Sequence, residues 1–503
     1  MSNFVHLSCM TLQQLFQYFQ IHSSPDLLHS QVTGLALRSQ DVNPGSVFFA
    51  IKGHAQDGHD SIPEAIERGA IAVVCSDLKK IPQEFSGPVL QLHDVRGVVS
   101  LMAARFYGFP SRNLWTIGVT GTNGKTSITY ICEWLLKNDS VPTAVMGTIN
   151  HHLGAHVWST DLTTPDPISL QKRLQEFKEH GAWALAMEVS SHSLDQKRVE
   201  GVDFDVTIFS NLSRDHLDYH KTMDIYHQAK QRLFTDLLWK SQKTQVYAIV
   251  NTDDSHGRKM KISERARLLT YGQSDCDYRF KVIKSDWQGT LFNLKSPSGD
   301  YEIEVPLLGL HNVYNAVAAL AMMDCKKMDF NKAIDNLKKF PGIPGRLQKV
   351  PVKGRNIFID YAHSPDALEK VLTLLVQNRN DLSPKSRIWT VFGCGGDRDK
   401  GKRPQMAQVA EKWSDQVIVT SDNPRTENPE QIIKDIQSGF TKSKGTTFVD
   451  RREAIRQALS QSSSEDVILI AGKGHENFQI IGDQKLNFSD YQVALEEYKN
   501  VRT

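Results

Sequence analysis

The sequence predicts an α/β protein with three domains. Short apolar runs typical of strands alternate with helical stretches, a pattern that indicates mostly parallel sheets covered by helices. The length of 503 residues suits about three such domains. Residues 340–345 contain two prolines and two glycines and cannot continue a helix, so they mark the clearest linker. We therefore expect domains at 1–98, 99–341 and 342–503.

The apolar runs follow one another in the order that this division requires. Strand-like runs at 46–51 and 70–74 precede a helix that starts near Val98 and leads to a strand at 115–119. The later runs that predict strands, or at 313–323 an apolar helix, are 184–189, 206–209, 313–323, 357–359, 388–392, 416–420 and 467–470. Strands and helices thus alternate as far as about residue 340 and again beyond the linker.

A glycine-rich loop between the strand at 115–119 and an amphipathic helix is the most informative motif. Its residues are Gly121, Thr122, Asn123, Gly124, Lys125 and Thr126. Glycines let backbone N–H groups approach a polyphosphate, the lysine adds a positive charge, and the threonine hydroxyl can ligate magnesium. The spacing departs from the usual G-x-x-x-x-G-K-[ST] pattern, because Val119 stands where the first glycine would be. Strand, loop and helix in this order favour a nucleotide site over a glycine-rich turn with a solvated lysine.

Composition excludes several classes of partner. Lys plus Arg total 59 against 57 for Asp plus Glu, so the formal charge of +2 gives no reason to expect nucleic acid or an anionic membrane. The six cysteines have neither disulfide nor metal-ligand spacing, which suits reduced thiols in a cytosol. The sequence contains no run of about 18 apolar residues and no signal-like start. We expect a soluble cytoplasmic protein without membrane insertion.

Two polar segments of the central domain admit two interpretations each. Glu188 ends an apolar strand, where it could ligate the magnesium of a nucleotide or serve as a turn or cap residue. The imidazoles and carboxylates of 211–220 could bind a cation or form a solvated loop with a helix cap. Lys230, in the helical stretch 224–234, reads by itself as an exposed helix lysine.

The last domain carries two further polar strand ends. Arg425 follows a proline turn after the strand at 416–420, and its planar guanidinium suits a carboxylate, although a plain surface arginine is the alternative. Residues 471–476 form a second glycine-rich strand end. It lacks the hydroxyl that follows the lysine in a phosphate loop.

Taken together and in order, these motifs resemble the Mur ligase family. The residues that carry the resemblance are 121–126, 188–192, 213–216, 309–316, Gly345-Arg346 and 360–363. Those that resemble its UDP-N-acetylmuramoyl-tripeptide synthetase branch are 395–403, 422–425 and 472–476. The matches span the chain.

The resemblance implies an architecture and a reaction. It implies an N-terminal domain for the uridine nucleotide, a central ATPase domain with a parallel sheet and a C-terminal Rossmann-like domain that closes on them. ATP and Mg2+ would activate the D-glutamyl γ-carboxylate of UDP-N-acetylmuramoyl-L-alanyl-D-glutamate as an acyl phosphate. The amine of meso-2,6-diaminopimelate would then attack, extending a peptidoglycan precursor. We expect a monomer.

The resemblance also implies site residues. Those implied as catalytic are Lys125, Glu188, His216 and Lys230. Those implied to bind ATP are Gly121, Thr122, Asn123, Gly124, Lys125, Thr126, Asn312, Arg346 and Asp360. Those implied to bind the UDP-muramoyl dipeptide are Ser39, His54, Thr163, Thr164, Ser190, Gln196 and Arg198. Those implied to bind diaminopimelate are Arg398, Asp422, Asn423, Pro424, Arg425, Gly472 and Glu476. Those implied to bind metal are Thr126, Glu188, His216 and Lys230, the last as N6-carboxylysine.

One part of the chain departs from the family pattern. Arg38 and Gln40 flank Ser39 where relatives usually have an acid and an arginine. This difference leaves the contacts to uracil open.

Three other functions remain possible from the sequence. Addition of L-lysine is disfavoured because Arg425 would pair with the distal carboxylate of diaminopimelate and repel an ammonium group. Folylpolyglutamate synthetase shares the last two domains but has no uridine domain. A phosphate-loop binding protein or switch would explain Lys125 and Glu188 but not the motifs at 422–425 and 472–476.

Overall fold

The computed structural model describes residues 10–19, 25–53, 56–160, 162–382, 385–442 and 445–502. The chain divides into two compact units. The first comprises the described residues up to Arg279, with Ser296–Ser298 and Val317–Ala333. The second comprises Phe280–Lys295, Gly299–Ala316 and the described residues from Ile334 onward.

The N-terminal part of the first unit contains a four-stranded parallel sheet, in the order β3-β4-β5-β6. Its strands and helices are Met10–Thr11 (β1), Leu12–Leu15 (α1), Pro25–Leu28 (α2), Gln31–Val32 (β2), Gly34–Ala36 (β3), Ser46–Phe49 (β4), Ile62–Glu67 (α3), Ala70–Cys75 (β5), Val89–Gln91 (β6) and Val95–Phe106 (α4). Short 3-10 helices lie at Ser39–Asp41, Gly58–Ser61, Leu78–Lys80 and Pro110–Asn113.

Alternate residues of these strands enter two different cores. Val47 and Phe49 pack with α1 and α4, whereas Phe48 and Ala50 pack with α3. Successive side chains of a strand point to opposite faces, so a strand covered on both sides must be apolar throughout. Val95, Val99, Met102, Ala103 and Phe106 of α4 belong to the first of these cores, whereas its buried Ser100 bonds to Arg198 and Gly201. The boundary expected at residue 98 therefore falls inside a helix.

The central part of the chain is the longest. Its first elements are Trp115–Thr120 (β7), Lys125–Asn138 (α5), Thr143–Met146 (β8), His151–Leu153 (β9), His156–Trp158 (β10), Pro167–Glu179 (α6), Ala184–Glu188 (β11), Ser191–Asp195 (α7), Val206–Phe209 (β12), Leu217–His220 (α8) and Met223–Gln231 (α9). A π-helix at Leu233–Leu237 follows. Its later elements are Leu238–Lys240 (α10), Val246–Asn251 (β13), Ala266–Gly272 (β14), Tyr278–Asp286 (β15), Gly289–Ser296 (β16), Gly299–Val305 (β17), Leu310–Cys325 (α11) and Phe330–Leu337 (α12).

The central sheet of the first unit runs in the order β10-β9-β8-β11-β7-β12-β13-β14, and β15 begins beside β14. The pairs from β8 to β14 are parallel, as predicted, whereas β9 and β10 pair antiparallel at one edge. Helix and strand alternation does not continue to residue 340, because β15, β16 and β17 follow one another without a helix between them. Their buried and exposed residues largely alternate, the period of a strand.

The order of the central strands brings three loops to one edge of the sheet. Glu188 at the end of β11 lies beside Val119 of β7, and Phe209 at the end of β12 lies beside Thr120. Because parallel strands end at the same edge, the segments after Thr120, Glu188 and Phe209 come together there.

The C-terminal part of the second unit repeats this principle. Its elements are Gln348–Lys349 (β18), Asn356–Asp360 (β19), Pro365–Leu382 (α13), Ile388–Phe392 (β20), Lys402–Trp413 (α14), Gln416–Thr420 (β21), Pro429–Gln437 (α15), Thr446–Phe448 (β22), Arg451–Gln461 (α16), Val467–Ala471 (β23), Phe478–Ile481 (β24), Gln484–Asn487 (β25) and Asp490–Arg502 (α17). The sheet order is β18-β19-β23-β20-β21-β22. Within this sheet the described pairs are parallel except β18 with β19, and β24 and β25 form a separate antiparallel pair. The four strands predicted beyond the linker are all present.

Two cores cover the faces of this sheet, and its strand ends again converge. Phe358 and Phe392 enter one core, and Ile357 and Val391 enter the other. Ala471 at the end of β23 pairs with residues at the ends of β19 and β20. The segments that follow β19, β20, β21 and β23 therefore lie at one edge. Within the described residues, no helix is both long and apolar enough to cross a membrane.

A buried ion pair ties two helices to this edge. Arg451 and Asp490 are both inaccessible to solvent, and the guanidinium donates two hydrogen bonds of 2.7 Å to the carboxylate. The same guanidinium donates to the carbonyls of Ser421 (3.3 Å) and Ala471 (2.9 Å), which follow β21 and end β23. Arg451 thus anchors the polypeptide where both strands end.

We expect Arg451→Met to lower the free energy of unfolding by about 3–5 kcal/mol, because it leaves the Asp490 carboxylate buried without a partner. Urea unfolding followed by tryptophan fluorescence measures the change. Arg456→Met is the matched control, since Arg456 lies on the same helix, is 48% exposed and should change stability little when its surface ion pair to Glu453 is lost. An Arg451→Met protein as stable as the control contradicts the expectation, whereas Arg451→Met/Asp490→Leu should recover stability.

Candidate functional site

The loop after β7 has a backbone that only glycine allows. Gly121 and Gly124 have φ angles of 149° and 87°, and a Cβ at Gly121 would lie 1.9 Å from Ser210 Oγ. Ser210 Oγ donates to the carbonyl of Asn123 (2.6 Å), and the Asn123 N–H donates to Asn211 Oδ1 (3.1 Å). The segment after β12 therefore holds the loop by hydrogen bonds. Helix α5 begins where the loop ends.

Two lysines donate to a single carbonyl of this loop. Lys125 Nζ lies 2.9 Å from the Gly121 oxygen and 2.9 Å from the Thr122 oxygen. Lys230 Nζ, from α9, also lies 2.9 Å from the Gly121 oxygen. Burial, and secondly the positive charge of Lys125, hold the pKa of Lys230 well below its ordinary value. Lys230 is only 1% exposed, so its interpretation as an exposed helix lysine is wrong.

The carboxylate of Glu188 lies against the same loop. Its Oε1 accepts from Thr126 Oγ1 (2.9 Å) and from the Thr148 N–H (2.9 Å), and its Oε2 accepts from Thr148 Oγ1 (3.1 Å). Glu188 is 1% exposed, and the helix that follows it is capped by Ser190 instead. A Cβ at Gly147 would lie 2.3 Å from Oε1. The carboxylate is therefore held beside the threonine hydroxyl and is not a cap.

This pair of side chains fits part of a magnesium shell. Hydroxyl and carboxylate oxygens are hard donors, and Mg2+ takes few protein ligands beside water and phosphate oxygens. Across the described part of the chain, no three His, Cys, Asp or Glu side chains converge as a metal cluster. A site built on Thr126 and Glu188 is consistent with a metal that a nucleotide would complete.

His216 and Lys230 both lie close to the ring of Tyr226. His216 is exposed, with a φ of 53°. Its ring centroid is 6.0 Å from that of Tyr226, and Lys230 Nζ lies 4.7 Å from the Tyr226 ring. The Tyr226 hydroxyl is 3.1 Å from Thr122 Oγ1 in the loop. Tyr226 therefore connects His216, Lys230 and the loop.

A network of polar side chains continues from Glu188. Thr164 Oγ1 donates to the Glu188 carbonyl (2.9 Å) and accepts from the Ser190 N–H (3.1 Å). Arg198 donates to the Thr164 carbonyl (2.8 Å) and to Gln196 Oε1 (3.0 Å). Four of the residues predicted to bind the muramoyl dipeptide thus form one connected surface.

The other three predicted residues for this substrate have different surroundings. Thr163 joins the surface indirectly, through a hydroxyl contact of 3.1 Å with Thr148. Ser39 is buried in the N-terminal part and donates to Glu64 Oε2 (2.7 Å). His54 lies outside the described residues.

The two predicted arginines of the last domain flank a glycine. A Cβ at Gly395 would lie 3.0 Å from Arg425 Nη1 and 3.7 Å from Arg398 Cγ. Arg425 follows the buried Pro424, has a φ of 51° and donates to the Gly396 carbonyl (2.8 Å). The left-handed backbone at Arg425 turns its side chain toward the segment after β20. The guanidinium of Arg425 and the side-chain stem of Arg398 therefore lie at one strand end.

The remaining predicted residues of this domain form a buried charged cluster. Lys473 Nζ lies 2.9 Å from Glu476 Oε2, 3.2 Å from Asn423 Oδ1 and 3.6 Å from Asp422 Oδ1. Burial raises the pKa of Asp422. Gly472 has a φ of 114°, and a Cβ there would lie 3.0 Å from Asp422 Oδ2. The turns after β21 and β23 are thus held together by charge.

The residues predicted to bind the rest of ATP lie in the second unit. Asp360 accepts from the N–H groups of Leu347 (2.7 Å) and Ala362 (2.9 Å), and burial raises its pKa. Leu347 follows Arg346 directly, so Arg346 and Asp360 are neighbours. Asn312 is buried near the start of α11 and donates to the Leu308 carbonyl (2.8 Å).

Three residues of these sites escaped the sequence analysis. Thr148 lies just after the apolar strand β8, and its place at a strand end is the signal that could have marked it as a site residue. Tyr226 is buried on α9, and an aromatic residue at such a position is usually interpreted as a packing residue. The sequence pattern therefore gives no sign of its contact with the loop. Lys473 was considered only as part of a failed phosphate loop, because its burial depends on a tertiary contact.

Three family descriptions match successive parts of the chain. Residues 31–107 match the Mur ligase family catalytic domain, residues 119–323 the Mur ligase middle domain, and residues 345–474 the Mur ligase glutamate ligase domain. This succession confirms the three-domain α/β architecture.

Curated relatives match over nearly the full length. A UDP-N-acetylmuramoyl-L-alanyl-D-glutamate–2,6-diaminopimelate ligase of Geobacter sulfurreducens is 39% identical, covering 94% of this chain and 96% of its own. One of Geobacillus thermodenitrificans is 39% identical, covering 99% and 100%. A solved structure with the same enzyme name is 34% identical, has a TM-score of 0.73 and covers 98% and 100%. The phosphate loop, the strand-end carboxylate and these matches lead to one conclusion, that the chain belongs to the Mur ligase family.

Proposed function

We propose that the protein is an ATP-dependent ligase that adds meso-2,6-diaminopimelate to the D-glutamyl γ-carboxylate of UDP-N-acetylmuramoyl-L-alanyl-D-glutamate. ADP and phosphate are the other products. The enzyme acts as a monomer in the cytoplasm, in the synthesis of peptidoglycan precursors. Its relatives carry the name of this reaction, and the residues of the chain offer a suitable surface for each substrate.

The position of Glu188 is the observation that carries this proposal. Its side chain accepts from Thr126 at the phosphate loop, while its backbone carbonyl accepts from Thr164 in the polar network. A single residue therefore joins the surface for the phosphates to the surface for the acceptor. A phosphate-loop switch needs no acceptor surface there, whereas phosphoryl transfer to a carboxylate requires one.

The reaction brings a phosphate and a carboxylate together, and both are anions. Thr126, Glu188 and His216, with a carbamylated Lys230 for the second ion, would hold two magnesium ions, whose charge would screen this repulsion. Lys125 and the loop N–H groups stabilise the charge on the transferring phosphoryl group. Arg198 attracts the acceptor carboxylate. Asn312, Arg346 and Asp360 hold the base and ribose of ATP.

Lys230 is suited to carbamylation because its surroundings hold the pKa of its amine well below the ordinary value. A neutral amine attacks the carbon of CO2, forms an N–C bond and releases one proton. Burial and the charge of Lys125 both favour the neutral form. The nitrogen keeps one N–H, which can still donate to the Gly121 carbonyl. The product is an anion in place of a second cation.

The last domain selects the amino acid. The distal end of diaminopimelate bears a carboxylate and an ammonium group, and lysine bears only the ammonium. Arg425 and Arg398 flank one strand end and suit the carboxylate. Glu476 suits the ammonium. Lysine would leave two guanidinium groups without an anion, so lysine addition is the weaker candidate.

We also propose three structural domains for this reaction. The linker expected at 340–345 separates the second from the third, which gives boundaries near 99–341 and 342–503. The boundary between the second domain and the first, expected at 1–98, falls within α4, whose apolar face packs in the core of the first domain.

We expect meso-2,6-diaminopimelate to support ADP release in the presence of the UDP-muramoyl dipeptide, and L-lysine to support at least about a hundredfold less at equal concentration. The reason is the missing partner for Arg425 and Arg398. A coupled ADP assay across a panel of amino acids measures it. Equal turnover with L-lysine would refute diaminopimelate specificity, and ADP release without any amino acid would refute the ligase.

Arg425→Ala should raise the KM for diaminopimelate by roughly a hundredfold and leave the KM values for ATP and the dipeptide within about threefold, because one charge-assisted pair is lost. Steady-state kinetics with each substrate varied in turn measures the three constants. Arg456→Ala is the control, since Arg456 is 48% exposed on α16 and pairs there with Glu453. An unchanged KM for diaminopimelate in Arg425→Ala contradicts the assignment.

Lys230→Ala should reduce kcat by at least about a hundredfold, and short-chain carboxylic acids should restore part of it, because they replace the carbamate anion. ADP release with and without added acetate or propionate provides the measurement. Lys240→Ala is the control, since Lys240 is exposed and pairs with Glu200. Full activity of Lys230→Ala without added acid would show that no carbamate is needed.

A further inference from the structure

We propose that Lys473 is a positioning residue for substrate selection, which presents one oxygen of Glu476 to the distal ammonium group of the amino acid. The inference rests on the proposed function and extends it to a residue that contacts no substrate itself. Lys473 would act through Glu476 and Asn423.

Lys473 is buried, and burying an ammonium group costs free energy unless the group has hydrogen-bond or charge partners. Its side chain is completely buried, between the turns that follow β21 and β23. The ammonium group donates to Glu476 Oε2 (2.9 Å) and Asn423 Oδ1 (3.2 Å), and Asp422 Oδ1 lies 3.6 Å away. A buried ammonium needs such partners, so its geometry is fixed by them.

The amide of Asn423 completes the arrangement. Its Nδ2 donates to Glu476 Oε2 (2.9 Å), while its Oδ1 accepts from Lys473 and from the Ile480 N–H (2.9 Å). The acceptor role of Oδ1 fixes the orientation of the amide. Asn423 and Lys473 therefore approach Glu476 together.

Both side-chain donors reach the same oxygen of Glu476. Within the described residues, the hydrogen bonds to this carboxylate fall on Oε2, and the Glu476 N–H closes the turn by donating to the Lys473 carbonyl (3.0 Å). With Oε2 held, Oε1 is the oxygen that can accept from a ligand. The side chain of Glu476 is 19% exposed, so a ligand can reach it.

The charges of the cluster suit an ammonium ligand. Lys473 supplies one positive charge between the two carboxylates of Asp422 and Glu476. One formal negative charge remains, and the nearby Arg451 is already paired with Asp490. An ammonium group at Oε1 would balance the cluster, while the carboxylate of the same distal carbon would lie toward Arg425 and Arg398.

A substrate that lacks the distal amine isolates this contact. 2-Aminopimelate keeps the distal carboxylate but has no distal ammonium group. Steady-state kinetics with meso-2,6-diaminopimelate and with 2-aminopimelate should be compared for the wild type, Lys473→Met, Glu476→Gln and the double variant. Lys412→Met is the control, since Lys412 is exposed on α14 and pairs with Glu369. The double variant leaves no ionised Glu476 to be buried without a partner, so it remains informative where Lys473→Met fails to fold.

We expect Lys473→Met to raise the KM for diaminopimelate by about 10–100-fold and to change that for 2-aminopimelate by less than about threefold. Because Lys473 acts through Glu476, adding Lys473→Met to Glu476→Gln should cost less than about threefold more. Equal losses for both substrates, or additive losses in the double variant, overturn the inference and leave the proposed function standing. A wild type that accepts L-lysine as well as diaminopimelate overturns the proposed function instead.

Discussion

The carbonyl group of Gly121 is the point on which the central site depends. It accepts hydrogen bonds from Lys125 and Lys230, two side chains that would both be cations in water. Two ammonium groups on one buried acceptor repel each other, and burial already disfavours charge on Lys230. Both effects lower the pKa of the Lys230 amine, which lies beside the phosphate loop. A glycine is required here, because its φ angle is 149° and the Cβ of any other residue would lie 1.9 Å from Ser210 Oγ.

In both units, the polar residues of the candidate sites lie where neighbouring parallel strands end. In the first, Glu188 and the loop after β7 lie where neighbouring parallel strands end. In the second, the turns that contain Arg425 and Glu476 follow β21 and β23 in one parallel sheet. Unpaired backbone groups and polar side chains gather at such edges, because the strands themselves must be apolar on both faces.

Buried charge serves different purposes in these sites. The Arg451–Asp490 pair makes two hydrogen bonds and holds the turns through the Ser421 and Ala471 carbonyls, so it is a structural anchor. Lys473 has two carboxylates for one ammonium group, and Glu476 is the more exposed of the two. Removing one partner of the closed pair would leave a buried charge unpaired, which is why that pair serves the fold.

The sequence alone determined the α/β class, the most apolar strands of the parallel sheets and the phosphate loop, because apolar periodicity and glycine positions are local properties of the chain. It also placed Glu188 and Arg425 at strand ends. Only the tertiary structure decided that Lys230 and Lys473 are buried, since a lysine on a helix or in a turn has no local signal of what covers it. The sequence analysis did not predict the successive strands β15 to β17, because it expected helices and strands to alternate in that part of the chain. The burial and the partners of a charged side chain depend on residues more than a hundred positions away, as the contact of Lys230 with Gly121 shows.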